Sequence, residues 1–491
     1  MRKLVLAVID SLKPELLERA IDSGRAPALK ALVERGVYIR DCVSSFPSVT
    51  PVASASIATG LGPDRHHIPS MNWYHRGEER YVEYGSSFAA TRTFGIVRSL
   101  YDTVYNMNLA HLSRGERTVY EIVEDAGLRA ACTTYLIYRG RHRHAADEEG
   151  PYTRIAKAAQ FRHAVWGPTE LFYADLFASR KTDCRSTLGM PGQRDRHSGC
   201  VAAHMVENDL FDFMLLSLPD NDTHSHRYGP YAQASSIVEA DRAIERMMLA
   251  GGGIDTFLDD HAVIVLSDHS QTPVEHAVNL GGELADRSVL LPDGVPEDAE
   301  IAVCPSARSA MVYVLDPERR AELVPQLAGD LCRIDGVDLV AYRADGEGVV
   351  RSVRGTELRF QPDGDLVDLR GAHWSLDGDH GTLGLTVSDG RVWSDTYPDA
   401  LGRLWSALQC RRAGDLLVSA APSYEFVDWG GAHHVGGGSH GSLHAGDSLG
   451  ALVMCGTGSG SASERVQWTI RDAVPTIADH FGIQRTAEPA G

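Results

Sequence analysis

The segment that decides the fold reads Val263-Ile264-Val265-Leu266-Ser267-Asp268-His269, an apolar run of strand length that ends in an acidic and an imidazole side chain. Other apolar runs of strand size lie at residues 4–9, 130–138, 213–218 and 451–455. Helical periodicity lies between such runs, at residues 14–35, 231–250 and 471–481. Apolar strands that alternate with amphipathic helices predict an α/β fold, with a mostly parallel central sheet flanked by helices on both faces.

Two kinds of segment interrupt this alternation. Residues 75–115 and 139–200 are rich in Arg, His, Gly and Tyr, which is typical of loops or a lid. Residues 335–400 contain short alternating strands separated by turns such as Asp345-Gly346, which predicts a β-rich insertion or cap. We therefore expect an α/β core formed by residues 1–334 and 401–491, with the insertion between them.

The chain of 491 residues is strongly acidic, with a formal net charge of −19 at pH 7. Such a surface argues against general nucleic-acid binding and against binding to anionic membranes. A small anionic substrate stays compatible, because a bound metal ion can reverse the local field of a pocket. No apolar run approaches membrane-spanning length, and the apolar start stops at Asp10 without a small-residue cleavage site. We therefore expect a cytoplasmic protein without a membrane partner.

The cysteines are scattered along the chain, and none forms a Cys-x-x-Cys pair. They are Cys42, Cys132, Cys184, Cys200, Cys304, Cys332, Cys410 and Cys455. This pattern predicts reduced, mostly buried thiols, and neither a disulfide framework nor a zinc–thiolate site.

Acidic and imidazole side chains follow two of the predicted strands directly. Asp10 ends the first strand, and Asp268 and His269 end the run that decides the fold. In a mostly parallel sheet, ligands bind just beyond the carboxyl ends of the strands. Nitrogen and oxygen ligands in this mixture suit zinc or manganese. A single carboxylate such as Asp10 more often stabilises a turn or caps a helix. A metal site is therefore indicated only by all of these residues together.

A third strand, at residues 213–218, is followed by Pro219-Asp220-Asn221-Asp222-Thr223-His224-Ser225-His226. Two carboxylates and two imidazoles within seven residues are a poor match to a solvated loop. In a helix, Asp222 and His226 share one side, and so do Asp220 and His224, because each pair is four residues apart. The spacing alone leaves both pairs open as ligands.

Thr50 stands directly before Pro51. A Thr-Pro pair is typical of a helix start, with the Thr as N-cap and the Pro at the first helical position. The same geometry places a hydroxyl beside free N–H groups and the positive end of the helix dipole, which suits an alkoxide and an incoming phosphate. A hydroxyl is a weak nucleophile until a base or a metal takes its proton. Thr50 therefore fits either a cap or a nucleophile.

His440 lies in the glycine-rich stretch Gly436-Gly437-Gly438-Ser439-His440-Gly441. A histidine in such a loop approaches a metal without steric obstruction. Nearby alternatives are His433, His434 and His444. Asp379-His380 has the same residue types as the pair at residues 268–269, but no apolar run precedes it and it lies in the predicted insertion. We therefore interpret it as unrelated to the metal site.

Together these motifs resemble the type I phosphodiesterase/nucleotide pyrophosphatase branch of the alkaline phosphatase superfamily. That branch has an Asp after the first strand, Pro-x-x-Thr with a later Thr-Gly, Asp-x-x-x-His-x-x-Gly-Pro, Ser-Asp-His and a late His-Gly. The corresponding residues here are Asp10, residues 47–50 with Thr59-Gly60, residues 222–230, residues 267–269 and His440-Gly441. The Gly229-Pro230 dipeptide selects Asp222 and His226 over the pair two residues earlier. The resemblance extends over residues 4–481, except for the insertions, and implies an alkaline-phosphatase-like fold.

The resemblance also implies two divalent metal ions, zinc in the first place and manganese as the alternative. One ion would be bound by Asp222, His226 and His440. The other would be bound by Asp10, Asp268, His269 and the oxygen of Thr50. Three carboxylates and one alkoxide would then balance the charge of two divalent cations. Thr50 would attack phosphorus and form a phospho-threonine intermediate, which is then hydrolysed.

The residue after Thr50 separates the substrate classes that this superfamily accepts. Alkaline phosphatases proper carry Arg beside a Ser nucleophile, whereas this chain has Pro51. We therefore expect a singly charged phosphodiester or a pyrophosphate linkage, and the resemblance to the branch implies a nucleotide-type substrate. A phosphonate hydrolase is the first alternative and a phosphomonoesterase the second. A metal-bound ligand-sensing protein without turnover is the non-enzyme alternative.

Two further sets of side chains are candidates for contacts with substrate. The branch has an Asn downstream of the Thr that donates to a phosphoryl oxygen. Met71 occupies that position here, and Asn72, one residue later, is the candidate donor. The basic run Arg139-Gly140-Arg141-His142-Arg143-His144 is either a solvated loop or a contact for a second phosphate through Arg141 and Arg143.

Overall fold

The structure is a computed structural model that describes residues 2–145, 163–174, 176–186, 189–458 and 465–484. Part of the lid predicted at residues 139–200 therefore lies outside the described residues. The apolar runs form an eight-stranded central sheet. In spatial order its strands are β2 (Val37–Val43), β24 (Leu449–Cys455), β11 (His261–Leu266), β1 (Lys3–Ile9), β10 (Phe213–Leu218), β5 (Ala130–Thr133), β8 (Glu170–Tyr173) and β9 (Phe177–Ala178).

The central sheet is mostly parallel, as predicted. β1 pairs in parallel with β10 and with β11, and β5 continues the parallel set between β10 and β8. β24 and β9 run in the opposite direction. Ile9 pairs with Leu218, and Val8 pairs with Leu266. This register brings the residues that follow β1, β10 and β11 to one edge of the sheet.

Successive residues of β1 point to opposite faces of the central sheet, and helices cover both faces. Val5, Ala7 and Ile9 belong to one buried cluster, and Leu4, Leu6 and Val8 belong to the other. Helices that contribute to the first cluster are α1 (Pro14–Asp22), α2 (Pro27–Arg35), α8 (Arg194–Glu207), α10 (Ala234–Ala250) and α11 (Ile254–Asp260). Helices that contribute to the second are α3 (Thr50–Thr59), α7 (Val119–Asp125), α14 (Ala400–Gln409) and α16 (Ala473–His480).

The remaining helices are shorter or lie outside the two layers. They are α4 (Pro63–His66), α5 (Phe88–Phe94), α6 (Ile96–Tyr101), α9 (Asp220–Tyr228), α12 (Leu280–Glu283), α13 (Arg320–Leu331) and α15 (Ala445–Ser448). A π-helix (Asp102–His111) follows α6, and 3-10 turns lie at Pro230–Ala232, Pro296–Asp298, His380–Leu383 and Ile470–Asp472. Among the described residues, no helix is both long and apolar enough to cross a bilayer.

A second sheet contains the strands predicted within residues 335–400. In spatial order it comprises β13 (Ile301–Ser306), β14 (Ser309–Val314), β21 (Leu416–Ala420), β15 (Val337–Ala344), β16 (Glu347–Ser352), β17 (Glu357–Val367), β20 (Arg391–Trp393) and β19 (Thr386–Ser388), with β18 (His373–Gly378) paired to β17. β13, β14 and β21 come from outside the predicted range. The β-rich segment is therefore continuous with strands that flank it in sequence.

Smaller sheets lie around these two. A three-stranded sheet is formed by β22 (Ser423–Phe426), β12 (Thr272–Val278) and β23 (Gly438–Ser439). Two-stranded sheets are formed by β3 (Asn72–His75) with β4 (Arg80–Glu83), and by β6 (His142–His144) with β7 (Val165–Gly167). The segment predicted as a lid at residues 75–115 thus contains β4, α5, α6 and the π-helix.

Two local predictions were wrong. The helix predicted over residues 14–35 is divided into α1 and α2, because Gly24 adopts φ = +72° between them and Pro27 starts the second helix. The cysteines were predicted to be reduced, but Cys184 and Cys200 form a disulfide across 16 residues of sequence. Spacing alone does not reveal such a pairing, because α8 must first fold to bring Cys200 beside the preceding loop.

Candidate functional site

The edge of the central sheet formed by β1, β10 and β11 gathers the acidic residues that the sequence singles out. Asp10 directly follows β1, and Asp268 comes two residues after β11. After β10 the chain turns at Pro219 into α9, which carries Asp222 and His226 one turn apart. Their convergence follows from the parallel register, because the carboxyl ends of parallel strands share one edge.

One group of possible metal ligands consists of Asp222, His226 and His440, whose donor atoms lie within 4.8 Å of one another. Nε2 of His226 lies 3.4 Å from Oδ2 of Asp222. Nε2 of His440 lies 3.6 Å from Oδ1 of Asp222 and 3.2 Å from Nε2 of His226. A helix and a distant glycine-rich loop therefore point three donors at a single position.

A second group consists of Asp10, Asp268 and His269, whose donor atoms also lie within 4.8 Å of one another. All three residues are buried. Nε2 of His269 lies 3.6 Å from Oδ1 of Asp10 and 3.4 Å from Oδ2 of Asp268. The same nitrogen lies 3.2 Å from Oγ1 of Thr50, so the hydroxyl adjoins this group.

The two groups are neighbours. The rings of His269 and His440 are stacked, with centroids 3.8 Å apart and an interplanar angle of 17°. The Ser11 hydroxyl donates to Oδ1 of Asp222 at 2.8 Å and lies 3.2 Å from Nδ1 of His269. Ser11 therefore contacts one residue of each group.

Backbone carbonyls orient the imidazole rings. Nδ1 of His226 lies 2.8 Å from the carbonyl of Gly438, and Nδ1 of His440 lies 2.8 Å from the carbonyl of Ser48. A carbonyl oxygen can only accept, so each Nδ1 carries a proton, and in a neutral ring Nε2 keeps the lone pair that can bind a cation. The two Nε2 atoms lie 3.2 Å apart. Burial opposes protonation of His226, but the charge of Asp222 raises its pKa, so this position attracts positive charge.

The crowding of three carboxylates also favours the binding of cations at this site. Burial, followed by the charges of Asp268 and Asp222, raises the pKa of Asp10 well above its usual value. Burial also raises the pKa of Asp268 to about 6. For Asp222, burial opposes ionisation, but His226, His440 and His269 hold its pKa well below the usual value.

The imidazoles complete this electrostatic picture. Burial lowers the pKa of His269 to about 4 and that of His440 to about 3, so both rings are neutral ligands at neutral pH. Neutral imidazoles and crowded carboxylates, arranged as two adjoining sets of three donors, suit a pair of divalent cations such as zinc or manganese. The residues present therefore fit the metal ions that the sequence predicts.

Thr50 is the first residue of α3, and Val49 takes the N-cap position. The prediction of Thr50 as the N-cap was therefore one residue out of register. All residues of α3 after Thr50 are buried, so the helix is fixed in the core and aims its amino terminus at the donor groups. This placement exposes Oγ1 of Thr50 to the site and sets the positive end of the helix dipole beside it.

The structure separates the two ligand pairs that the α9 sequence leaves open. Asp220 accepts hydrogen bonds from the backbone N–H groups of Gly192 and Asp195 and from Nε of Arg194 at 2.8 Å. Nε2 of His224 lies 3.3 Å from the Ser235 hydroxyl. Asp222 and His226 are the pair that joins the donor group, as the Gly229-Pro230 register implies.

The other candidate histidines and the Asp379-His380 pair have different surroundings. His434 lies against Glu425, with Nδ1 3.0 Å from Oε1, and its ring packs on that of His226 at 4.1 Å. Nδ1 of His444 accepts from the backbone N–H of Gly446. Asp379 accepts from the backbone N–H of Gly381 in a local 3-10 turn that includes His380. Among the nearby histidines, His440 is the one that joins the donor group.

Asn72 is buried on β3, and one N–H of its side-chain amide is engaged within the β3–β4 hairpin. Nδ2 donates to the carbonyl of Val82 at 3.0 Å, and the backbone N–H donates to Oγ of Ser306 at 3.0 Å. The structure therefore gives Asn72 a role in the β3–β4 hairpin. Its suggested contact with a phosphoryl oxygen stays a prediction.

Arg141 is not brought to the donor groups. Its guanidinium donates to Asp125 at 2.8 and 2.9 Å and to Glu121 at 3.2 Å. Its backbone N–H donates to Glu124, which also accepts from Thr169 at the start of β8. Arg141 thus lies at the amino-terminal edge of the parallel strands, opposite the donor groups. This geometry favours the interpretation of the basic run as a surface loop.

Arg143 belongs to the same run and is exposed on the β6–β7 hairpin, where it pairs with Trp166 in the backbone register. The ladder is formed by backbone groups, so the guanidinium of Arg143 is not needed for it. The suggested contact of Arg143 with a second phosphate stays a prediction.

Sequence reasoning missed residues that orient the ligands. Ser11 adopts φ = +59°, and its backbone N–H donates to Asp268 at 3.1 Å. Nε2 of Gln271 donates to Oδ1 of Asp222 at 2.5 Å. Lys13 is buried and donates to the Gln271 carbonyl at 3.0 Å. Ser11, Gln271 and Lys13 lie one, two and three residues from the nearest predicted ligands, which was the available signal, but their residue types are ordinary.

A buried ion pair supports the loop that carries His440. Nη1 of Arg308 donates to Asp447 at 2.7 Å, and the backbone N–H of Arg308 donates to the His440 carbonyl at 2.8 Å. Asp447 also accepts from the backbone N–H of Ser442 at 3.1 Å and from its hydroxyl at 2.6 Å. These contacts hold the loop against the start of β14, and no local sequence pattern predicts them.

Known structures share this architecture along nearly the whole chain. A crystal structure of phosphonoacetate hydrolase from Sinorhizobium meliloti 1021 in complex with phosphonoformate matches with a TM-score of 0.57 and 18% identity, covering 98% of this chain and 96% of that chain. A second structure of that enzyme, in complex with phosphonoacetate, matches with a TM-score of 0.55 at 18% identity and the same coverage. The predicted alkaline-phosphatase-like fold is confirmed.

Sequence comparison gives the family. No curated protein matches the chain. Residues 4–443 match the family described as type I phosphodiesterase/nucleotide pyrophosphatase, which indicates a phosphoester hydrolase. The resemblance stated from the motifs is confirmed, and the chain belongs to the type I phosphodiesterase/nucleotide pyrophosphatase family.

Proposed function

We propose that this protein hydrolyses phosphodiester or pyrophosphate bonds of nucleotide-type substrates through a phospho-threonine intermediate on Thr50. The observation that carries the proposal is the position of Oγ1 of Thr50, 3.2 Å from His269 and beside two adjoining sets of buried donors. Membership of the family supports the reaction class. A cytoplasmic location stays an expectation from the sequence, and the Cys184–Cys200 disulfide weighs against it, because disulfides are rare in the cytosol.

Two divalent cations complete the proposed site. Asp222, His226 and His440 would hold one, and Asp10, Asp268 and His269 would hold the other with the Thr50 oxygen. When bound, divalent cations of this kind lower the pKa of a coordinated hydroxyl and stabilise negative charge on phosphoryl oxygens. Zinc suits the mixture of imidazole and carboxylate donors, and manganese is the alternative.

The chain's own residues supply the nucleophile and its orientation. α3 fixes Thr50 at a buried helix start, so little reorganisation is needed before its hydroxyl oxygen attacks phosphorus. The positive end of the helix dipole lies where negative charge from the phosphoryl group would gather. Ser11 and Gln271 donate to Oδ1 of Asp222 and hold that carboxylate in one orientation.

Pro51 supports a substrate of low charge. A phosphomonoester dianion gains from a fixed cation next to the nucleophile, and this chain has a proline at that position. A diester or an internal diphosphate linkage carries one negative charge on each phosphoryl group, so it depends less on such a cation. Diester and pyrophosphate substrates therefore fit the site better than monoesters.

Phosphonate hydrolysis is the second candidate. The observation in its favour is the match, over 98% of this chain, to an enzyme that is called phosphonoacetate hydrolase. The same threonine and the same donor groups would serve that reaction. Measured turnover of a phosphonate is needed to decide between the two.

A substrate panel tests the proposal. Metal-loaded wild-type protein is compared with Thr50→Ala and Thr50→Ser on bis(p-nitrophenyl) phosphate, p-nitrophenyl phosphate, a dinucleoside diphosphate and phosphonoacetate. We expect the diester and the diphosphate to be turned over fastest. Thr50→Ala should lose at least about 10³-fold in kcat, because the attacking oxygen is gone, while Thr50→Ser retains part of the activity.

Other results on this panel would change the assignment. Predominant cleavage of phosphonoacetate would replace the first candidate by the second. Diester turnover that survives in Thr50→Ala would refute the phospho-threonine route. Full metal loading without turnover of any ester would favour a ligand-sensing protein.

A further inference from the structure

An arginine-lined cavity of about 800 Å³ lies at one end of the second sheet. It is bounded by the start of α13, by the turn between β15 and β16, and by the segment between α14 and β21. Its arginines are Arg76, Arg320, Arg343, Arg351, Arg359 and Arg411. The acidic residues of the lining are Asp345 and Asp415. Such a concentration of guanidinium groups stands out in a chain with a net charge of −19.

Carboxylates of the protein neutralise part of this charge. Asp415 lies 2.8 Å from Arg76 and 3.1 Å from Arg320. Arg351 lies 2.7 Å from Glu357, and Arg359 lies 3.1 Å from Glu347. These four arginines are therefore held in place by ion pairs, with their remaining N–H groups available along the wall.

Arg343 and Arg411 are the remaining cations, and both are exposed. Within the part of the chain that the structure describes, neither forms an ion pair with a carboxylate. α13 adds to the positive field, because its first residue, Arg320, lies in the lining and the amino terminus of a helix carries partial positive charge. The cavity thus offers positive charge that the protein leaves unbalanced.

β14 extends from the candidate metal centre to this cavity, so its length gives the distance between them. At its start, the backbone N–H of Arg308 donates to the carbonyl of His440. At its end, the backbone N–H of Val314 donates to Asp415 in the cavity lining. A strand rises about 3.3 Å per residue, so the two regions are roughly 20 Å apart. The cavity is therefore separate from the site around Thr50.

We propose that this cavity binds a small molecule that carries a diphosphate group. Guanidinium groups recognise phosphate oxygens through paired N–H donors, and several of them together favour a multiply charged anion over a single phosphate. A volume of about 800 Å³ is in the range of small-molecule sites and exceeds what one phosphate fills. Val324 and Tyr342 add apolar wall for an organic group. Binding at this cavity is independent of the function proposed for Thr50.

Calorimetric titration with inorganic pyrophosphate tests the proposal. The protein is the full-length Thr50→Ala variant, in which turnover should not disturb the titration. Each titration is run on metal-loaded and on EDTA-treated protein, because the candidate metal centre would also bind pyrophosphate. The charge-reversed variant adds R343E and R411E, and the matched control adds R25E and R246E, which reverse two exposed arginines on the helical layer over the central sheet. Thermal unfolding checks that all three proteins fold equally.

We expect the parent and the control to bind pyrophosphate equally. The R343E/R411E variant should bind it at least about tenfold more weakly, because two guanidinium donors are replaced by carboxylates that repel the anion. Binding to the cavity should persist after EDTA treatment, because it needs no metal ion. R343Q/R411Q should show a smaller loss in the same direction.

Three results would overturn the proposal. Equal affinity in the R343E/R411E variant and the control would exclude the cavity. Binding that disappears with EDTA would place the anion at the candidate metal centre instead. Loss of self-association in the R343E/R411E variant, measured by sedimentation, with unchanged pyrophosphate affinity would assign the arginines to contacts with a second copy of this acidic chain. None of these results depends on turnover, so they leave the function proposed for Thr50 untouched.

A parallel titration with ADP identifies the source of the diphosphate group. Tighter binding of ADP than of pyrophosphate, lost in R343E/R411E, assigns the cavity to nucleoside diphosphates. Equal binding of the two probes, lost in the same variant, assigns it to the inorganic diphosphate group.

Discussion

The candidate metal centre and the basic run at residues 139–144 both carry residue types that can bind phosphate, but they differ in how their charge is balanced. In the centre, burial and then the charges of Asp268 and Asp222 raise the pKa of Asp10, so the crowded carboxylates favour bound cations. In the basic run, Asp125 and Glu121 pair with Arg141 at 2.8 and 3.2 Å. Unbalanced charge at the end of converging strands marks a binding site better than a high local density of charged residues.

Removal of divalent cations should produce the largest effect at the metal centre. We expect chelation to lower the rate of bis(p-nitrophenyl) phosphate hydrolysis by at least about 10³-fold, because the carboxylates would otherwise repel the phosphoryl group. The rate is measured before chelation, after it, and after zinc or manganese is returned. An unchanged rate in metal-free protein would contradict the claim that the carboxylates of the metal centre, unlike the ion-paired basic run, depend on bound cations.

Two aspartates on α9 provide a matched pair of variants. Asp222→Asn should lower metal content and reduce kcat by at least about 10²-fold, because it removes a charged donor from the site. Asp220→Asn should retain metal and most activity, because Asp220 contacts Arg194 and backbone N–H groups. Metal analysis and kcat are measured on both. The reverse result would shift the ligand pair to Asp220 and His224.

Ser11 tests whether contacts behind the ligands matter. Ser11→Gly and Ser11→Ala both remove the hydroxyl that donates to Asp222, so each should weaken metal binding by about 10- to 100-fold. The backbone at φ = +59° suits glycine, so Ser11→Gly should be more stable than Ser11→Ala by about 1 kcal/mol. Metal titration and thermal unfolding separate the two effects. Equal metal affinity in wild type and both variants would contradict a positioning role.

The smallest effect is expected at the basic run. Arg141→Gln should leave KM for nucleotide substrates within about twofold, because the guanidinium lies in ion pairs at the opposite edge of the sheet. It should lower the free energy of unfolding by less than about 1 kcal/mol, since the pair with Asp125 is solvent-exposed. KM is measured for a dinucleotide and for a small aryl diester. A KM increase confined to the dinucleotide would restore the phosphate-binding interpretation of the run.

The central sheet and the donor groups could be predicted because they depend on local patterns. β10 is an apolar run at residues 213–218 interrupted by Ser217 alone, as expected of a strand buried on both faces. Asp10 follows a run of this kind directly, and Asp268 and His269 follow one after Ser267. Gly229-Pro230 fixed the choice between the two pairs on α9. For the sheet and the residues that follow β1 and β11, sequence order and strand direction were sufficient, whereas the choice of Asp222, His226 and His440 came from the resemblance to the family.

The features that could not be predicted depend on contacts between distant parts of the chain. The pairing of Ser11 with Asp222 and of Arg308 with Asp447 arises only after the strands and loops are in place. The Cys184–Cys200 disulfide likewise depends on where α8 packs. None of these residue types has a local pattern that distinguishes it from ordinary surface or core positions.

The number of metal ions per chain tests the central claim most directly. Elemental analysis of purified wild-type protein, dialysed against metal-free buffer after loading, is compared with that of His440→Ala and His269→Ala. We expect two divalent cations per chain in the wild type and about one in each variant, because each histidine belongs to a different donor group. No bound cation above background in the wild type would contradict the account of this site.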